Sequence, residues 1–229
     1  MNILAIESSG LTAGVAIVNE EKTVAEFNTN YIKNHSQTLM PIVEELLGVS
    51  GFHPNEVDYI ACSSGPGSFT GLRIGAATAK GLALGWGLRI VPVPTLDGLA
   101  FNIANENIIA APIMDAKRNQ VYTAFYTYNG GKMGRMTDYF AEDICIVLER
   151  LAAYGKPAVF LGDGVPAYKH IIAGKSPLFT FAEPHTNMQR AASVGALALR
   201  LVKTAVPGDE FKPFYLRKPQ AERELESKL

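Results

Sequence analysis

Cysteine is nearly absent: Cys62 and Cys145 stand far apart, in no CxxC or Cys/His grouping. That excludes a disulfide framework and a thiolate zinc site, and both read as small core residues in a reducing cytoplasm. Histidine is as sparse. His35, His53, His170 and His185 are scattered, and position 39, one helical turn after His35, is leucine, so no metal site is expected. The net charge of −1 leaves no basic footprint, so a nucleic-acid substrate would be held mainly by a partner chain. No apolar run approaches the roughly eighteen residues of a membrane span, and MNILAIESS puts no basic region before an apolar one. A soluble, cytoplasmic chain with no membrane partner is expected. Ser63, Ser64 and Ser68 lie outside any GxSxG elbow, so no Ser-His-Asp or Cys-His nucleophile can be assembled on paper.

What the chain does have is the stretch 63–85, SSGPGSFTGLRIGAATAKGLALG, where a strand runs into a glycine-rich loop and then a helix. Gly65, Gly67 and Gly71 suit backbone angles barred to other residues, and Ser68 or Thr70 can cap the helix. It is not a P-loop, because neither Lys nor Ser/Thr follows the second glycine at the GxxxxGK[ST] spacing. Gly71, Gly75, Ala79 and Ala83 recur at intervals of four, with Thr78 and Leu82 beside them. A glycine inside a helix costs about 1 kcal/mol relative to alanine, so a close neighbour must compensate. That neighbour could be a helix of the same core or one of another chain.

The rest of the chain places this stretch in a repeated pattern. NILAIE at 2–7, AGVAIV at 13–18 and TVAEFN at 23–28 read as a three-strand meander whose first strand ends in an acid, Glu7. A helix over 35–49 follows, with Leu39, Val43, Leu46 and Leu47 on one face. Capping by Asn34 puts Pro41 inside that helix and capping by Thr38 puts it in the tolerant first turn; a distorted first turn is expected. VDYIAC at 57–62, the central helix, RIVPV at 89–93 and a helix over 96–105 complete the half.

IIAAPIMDA then ends in Asp115 as the first strand ends in Glu7; VYTAFYTY at 121–128 and GRMTDYF at 134–140 supply the next strands, around the turn Asn129-Gly130-Gly131-Lys132. A helix near 143–153, the strand AVFLGD at 158–163 and helices near 165–173 and 188–204 follow. A duplicated three strands, helix, strand, helix is the pattern of a two-lobed α/β fold of the actin-like ATPase (ribonuclease H-like) type, each lobe a mixed sheet with helices packed on it. Residues 1–106 form the expected N-terminal lobe and 107–229 the C-terminal one, with the last helix placed to return to the first lobe.

In such a fold Glu7, Ser8, Ser9, Gly10 and Thr12 could meet a nucleotide, although a tight turn looks the same without a ligand. Asp115 is the matching acid of the second half. It is followed by Ala116, Lys117, Arg118 and Asn119, with no glycine to let backbone approach a phosphate, so the two loops are not a matched pair. Lys117 and Arg118 read as an anion-attracting tip or a solvated turn. Gly162-Asp163-Gly164 reads as a hinge, an adenosine-side loop or a plain strand exit.

GPGSFTGLRIG at 65–75, continued by ATAKGLA at 77–83, closely resembles the signature of the bacterial TsaB (YeaZ) family of tRNA threonylcarbamoyladenosine biosynthesis proteins. ILAIESS at 3–9, HSQTLMPIVEELL at 35–47, PTLDGLA at 94–100, MDAKRNQVY at 114–122 and YLR at 215–217 extend the resemblance over almost the whole chain. Membership implies an actin-like scaffold without catalysis of its own. It implies heterodimerisation with a TsaD-type transferase, which threonylcarbamoylates the adenosine on the 3′ side of the anticodon in tRNAs reading codons that begin with A. A TsaE-type ATPase completes the assembly, a homodimer forms when the partner is absent, and tRNA is met only through the complex.

No cofactor is implied for the chain itself, with ATP or ADP at the joint with the partner. The implied partner interface lies on the two helices at His35, Leu39, Met40, Val43, Leu46, Leu47, Phe69, Leu72, Gly75, Thr78, Ala79 and Leu82. His35 followed by Leu39 departs from the HxxxH metal pair of the enzyme relative, and Glu7 stands where aspartate is usual, which weakens a metal or nucleotide reading. The competing expectation is an enzyme in its own right, an ATP-dependent kinase or a peptidase of the same superfamily.

Overall fold

A computed structural model describes residues 1–30 and 34–217; the stretch 218–229, assigned to the second lobe by sequence, lies outside the described residues. The first sheet begins with β1 (Ile3–Glu7) and β2 (Ala13–Val18), apolar runs buried along their whole length because helices cover both faces. β3 (Thr23–Thr29) is an edge strand and is correspondingly only half-buried. After α1 (His35–Ser50), β4 (Tyr59–Gly65) runs parallel to β1; α2 (Phe69–Trp86) and β5 (Arg89–Pro94) follow. Asn34 is the N-cap of α1 but its side chain makes no capping bond, so Pro41 lies inside the helix. The first turn is tightened instead by Gln37 N–H to Asn34 O at 3.2 Å.

Next come α3 (Thr95–Ala100), then β6 (Ile109–Asp115), β7 (Gln120–Thr123), β8 (Tyr126–Asn129), β9 (Lys132–Arg135) and β10 (Phe140–Asp143). α4 (Ile144–Ala152), β11 (Ala158–Leu161), α5 (Val165–Lys175), β12 (Phe179–Phe181), α6 (Pro184–Asn187), α7 (Ala191–Leu201) and the short β13 (Val206–Pro207) complete the chain. The first sheet has the order β13-β5-β4-β1-β2-β3 and the second β10-β7-β6-β11-β12, so one five-strand order is used twice.

The second half departs from expectation in its second strand, which is not continuous. β7 and β8 are separate, with Ala124 and Phe125 buried in the gap between them. Opposite the break, Pro112 in β6 has no N–H to give. The expected strand 134–140 is likewise two pieces: β9 closes a hairpin on β8, and β10 joins β7 at the sheet edge.

The lobes exchange helices. α1 and α2 cover one face of the first sheet, but its other face is covered by α7, through Ala191, Val194 and Ala198 against Ile3, Ala5, Ala16 and Val91. α3, which follows the first sheet, also packs on the second, where Leu96, Leu99 and Ala100 meet Ala110, Tyr126 and Leu161, while its Gly98 faces Val93 and Val194. α7 approaches closely because Gly195 leaves room for Val18 and Ala5. Its first amides are satisfied from the other lobe: Ala192 N–H donates to Glu26 Oε1 at 2.8 Å and Ala191 N–H to Asn28 Oδ1 at 3.2 Å, with Arg190 paired to Glu26.

Candidate functional site

The site is the cleft where the strand exits of the two sheets meet. The β1–β2 turn is wedged against the start of α2. Ser8 Oγ donates to Gly71 O at 2.9 Å, and Ser68 N–H donates to Ser9 O at 2.7 Å. A Cβ on Gly71 or Gly75 would overlap Ser8, and one on Gly67 would overlap Ser9. The small stripe of α2 is therefore filled by this chain's own turn, with Ala79 and Ala83 packed in the core under the first sheet.

Within the single chain the expected partner-interface residues divide by exposure. Leu39, Val43, Leu46, Leu72, Gly75, Ala79 and Leu82 are buried in the subunit core. The regular three-to-four spacing that marks them also marks a face laid on a sheet. His35 is tied inward, its Nε2 3.0 Å from Gly10 O, while Leu47, Phe69 and Thr78 are half-buried. Met40, at 46% exposure, is the one of the twelve that stands out to solvent. The outer faces of α1 and α2 carry Met40, Glu44, Glu45, Gly48 and Val49 on one helix and Arg73, Ala77, Gly81, Leu84 and Gly85 on the other. Leu84 is 87% and Val49 64% exposed.

The expected nucleotide residues are also largely consumed internally. Glu7 is buried and accepts hydrogen bonds from Ser9 N–H at 2.7 Å, from the Ser9 hydroxyl and from the Ser63 hydroxyl. Burial pushes its carboxyl up, while the bonds from Ser63 and Ser9 act the other way. Thr12 is buried, its hydroxyl donating to Asn30 at 2.7 Å. Ser8, Ser9 and Thr12 thus offer no free hydroxyl to a phosphate. The chain's own residues do not fit a triphosphate here.

Gly10 and Asp115 do line the cleft, with Leu11, Pro66, Gly67, Ser68, Phe69, Lys117, Tyr122 and Asp163 around a cavity of ≈ 460 Å³. Asp115 Oδ2 holds Lys117 Nζ at 2.7 Å, and its Oδ1 accepts Lys117 N–H at 2.9 Å. Burial works to raise the Asp115 carboxyl, but the Lys117 bonds and charge, helped by the Tyr168 hydroxyl, outweigh it and leave it below the ordinary carboxylate value.

Lys117, Arg118 and Asn119 take φ of 64°, 55° and 61°, three successive left-handed residues without a glycine. The turn is closed by Ala116 N–H to Gln120 O at 2.9 Å and held by Ile144 N–H to Asn119 O at 2.9 Å. It is a solvated turn with its lysine paired internally.

Asp163 lines the cleft and buried Gln189 lies near it, and nothing in the sequence brings the two together. Both reach the space that a Gly10 side chain would fill. Asp163 Oδ1 accepts from Asp115 N–H at 3.3 Å and the carboxylate is approached by the Leu11 amide, so one side chain joins the two strand exits. Burial raises its carboxyl to about 6, the Asp115 charge adding to the shift against the hydrogen bonds. Among the described residues no group of three or more acidic, histidine or cysteine side chains could hold a metal ion, and no helix is long and apolar enough to cross a membrane.

Two lobes with one strand order, a helix exchanged between them and a cleft at paired acid-bearing strand exits define an actin-like protein whose first loop is closed upon itself. The family model described as "TsaD: tRNA N6-adenosine threonylcarbamoyltransferase" matches residues 22–225. The chain is 34% identical to the tRNA threonylcarbamoyladenosine biosynthesis protein TsaB of Bacillus subtilis strain 168, covering 97% of this chain and 96% of that one. It is 30% identical to the TsaB protein of Escherichia coli K12, with 100% of each chain covered. The solved structure of YeaZ from Pseudomonas aeruginosa superposes with a TM-score of 0.78 at 24% identity, covering 94% of this chain and 99% of that one. The chain belongs to the TsaB (YeaZ) family, within the wider group that the TsaD model describes.

Proposed function

We propose that this chain serves threonylcarbamoyladenosine synthesis on tRNA as a subunit without catalysis of its own, heterodimerising with a TsaD-type transferase. The observation that carries this reading is the sealing of Glu7 by Ser9 and Ser63, which ties the first-strand acid to this chain's own hydroxyls and amide. The TsaB names of the relatives support the pathway.

The partner docks on the outer faces of α1 and α2. Exposed Met40, Val49 and Leu84 lie there among Gly48, Ala77, Gly81 and Gly85, a low-relief surface suited to helix pairing. Without the partner, a second copy covers the same face. A TsaE-type ATPase completes the assembly, ATP or ADP sits at the joint with the partner rather than in this chain's cleft, and tRNA is met through the complex in the cytoplasm.

Leu84→Arg together with Met40→Glu tests this. Both side chains are solvent-exposed, so the chain should keep its own stability within about 0.5 kcal/mol, while co-purification with the transferase and tRNA modification fall at least tenfold. Retention of both overturns the docking face. Magnesium-dependent ATP turnover by the purified chain alone, abolished by Asp115→Asn, overturns the non-catalytic reading.

A further inference from the structure

The segment from Phe211 to Arg217 crosses the cleft from one lobe to the other. Phe211 is 1% exposed and belongs to the core of the first lobe. Phe214 N–H donates to Ser64 O at 2.6 Å, and its carbonyl lies where a Cβ on Gly65 would be, so that glycine makes room for the segment at the β4 exit. Tyr215 packs its ring on Phe69, the first residue of α2, with centroids 5.0 Å apart. The far end belongs to the other lobe: the Phe214 ring is 6.1 Å from that of Tyr139, and the Arg217 guanidinium donates to Gln120 Oε1 at the start of β7. Between these anchors Tyr215, Leu216 and Arg217 form a wall of the ≈ 460 Å³ cavity that opens on Asp115 and Lys117.

The anchors are unequal, which is what a latch requires. Phe211 cannot leave without opening a core, whereas Phe214 is 42% exposed and, among the described residues, Arg217 is held by one side-chain bond to Gln120. A part-buried hydrogen bond from a charged donor is worth about 1.5–3 kcal/mol, and an aromatic pair about 1 kcal/mol. The outer half can therefore detach for a few kcal/mol, the Phe214 N–H bond to Ser64 O included, while the root stays fixed.

The geometry points to residues 214–217 acting as a latch that holds the two lobes in the closed setting and controls access to the cavity, with Phe211 as its root. Because Tyr215 bears on Phe69, release of the latch also frees the first turn of α2. The other joints between the lobes, α3 and α7, are built of buried apolar side chains and do not detach in this way.

The test uses the full chain alone and is independent of any partner. With Cys145→Ser removing the exposed native thiol and buried Cys62 retained, spin labels on Lys22→Cys and Lys156→Cys place one probe on the outside of each lobe. The doubly labelled chain is diluted into unlabelled protein so that only distances within one molecule are read. Tyr215→Ala with Arg217→Ala should at least double the width of the interlobe distance distribution. Gln120→Ala, which removes the receiving group from the other lobe, should widen it in the same sense, with far-UV circular dichroism unchanged. An unaltered mean and width in both variants overturns the latch.

Discussion

Asp163 is the residue at which the cleft stores free energy. Its carboxyl, raised to about 6 by burial, ionises less readily in the folded chain than in the unfolded one, where aspartate titrates near 4. The folded state therefore binds the extra proton. Its contribution to stability is fully present below the unfolded value and is lost as pH rises through about 6. At pH 8 the charged form should cost about 2–3 kcal/mol, because a tenfold change in acidity corresponds to about 1.4 kcal/mol. Asp163→Asn keeps one carbonyl oxygen for the Asp115 amide and removes the charge. Urea midpoints measured from pH 5 to pH 8 should fall with pH in the parent and fall markedly less in this variant.

Gly75 shows how the same residue reads differently in sequence and in structure. As part of a small stripe it invites a foreign helix; in the fold its missing side chain is the space that Ser8 Oγ fills. Gly75→Ala should gain roughly 1 kcal/mol of helix propensity but force Ser8 to turn away, losing the bond to Gly71 O and straining the turn. A net loss of about 1–3 kcal/mol is expected from the overpacking, read as a lowered denaturation midpoint in the isolated chain. An unchanged midpoint with lost partner binding would return this position to the interface.

At the scale of the element, legibility follows the covering of each face. β1, β2 and β4 stand out in the sequence because both sides are covered and the runs are apolar up to the polar exits at Glu7 of β1 and Ser63 and Ser64 of β4. α2 can be placed from its glycine loop and Ser68 cap, the latter seen in the bond from Gly71 N–H at 3.3 Å. What cannot be read is which neighbour fills a small stripe, since spacing defines a face and not its occupant. α7 carries the same message in Ala191, Gly195 and Ala198, yet in sequence it looks like an ordinary helix.

The break between β7 and β8 is hidden because Pro112, which lacks an N–H opposite it, sits on a different strand, and Phe125 turns its backbone to Met136 and Thr137. Glu7 and Asp115 are legible as paired strand ends. The closure of the first by Ser63 is not, since 56 residues separate the partners. The closeness of α7 gives a test at this scale. Gly195→Val would drive branched carbons into Val18 and Ala5, and should lower the denaturation midpoint by an amount equivalent to 2–3 kcal/mol, roughly the cost of overpacking a closed core. A surface glycine such as Gly174, with nothing near its added Cβ, should tolerate alanine without loss.

For the whole molecule, the exchange of α3 and α7 means that a cut in the chain is not a cut in the fold. The boundary between residues 106 and 107 separates two sheets in sequence, yet a fragment 1–106 lacks α7 and would expose Ile3, Ala5, Ala16, Val18, Val91 and Val93 on one bare sheet face. Its own α3 would meanwhile have lost the second sheet, against which Leu96 and Leu99 are buried. Covering that face by α7 and its neighbours removes several large apolar side chains from water, each worth about 1.5–3 kcal/mol, a sum comparable with the whole stability of a domain of this size. Fragment 1–106 should therefore be aggregated or unfolded by gel filtration and circular dichroism. The full chain should unfold in one transition, with tryptophan fluorescence from Trp86 and far-UV ellipticity coinciding. Co-expression of 1–106 with 107–229 should restore a soluble complex, since all that the cut removes is one surface connection. A soluble, folded 1–106 on its own would show that α7 is an accessory rather than a layer of the first lobe.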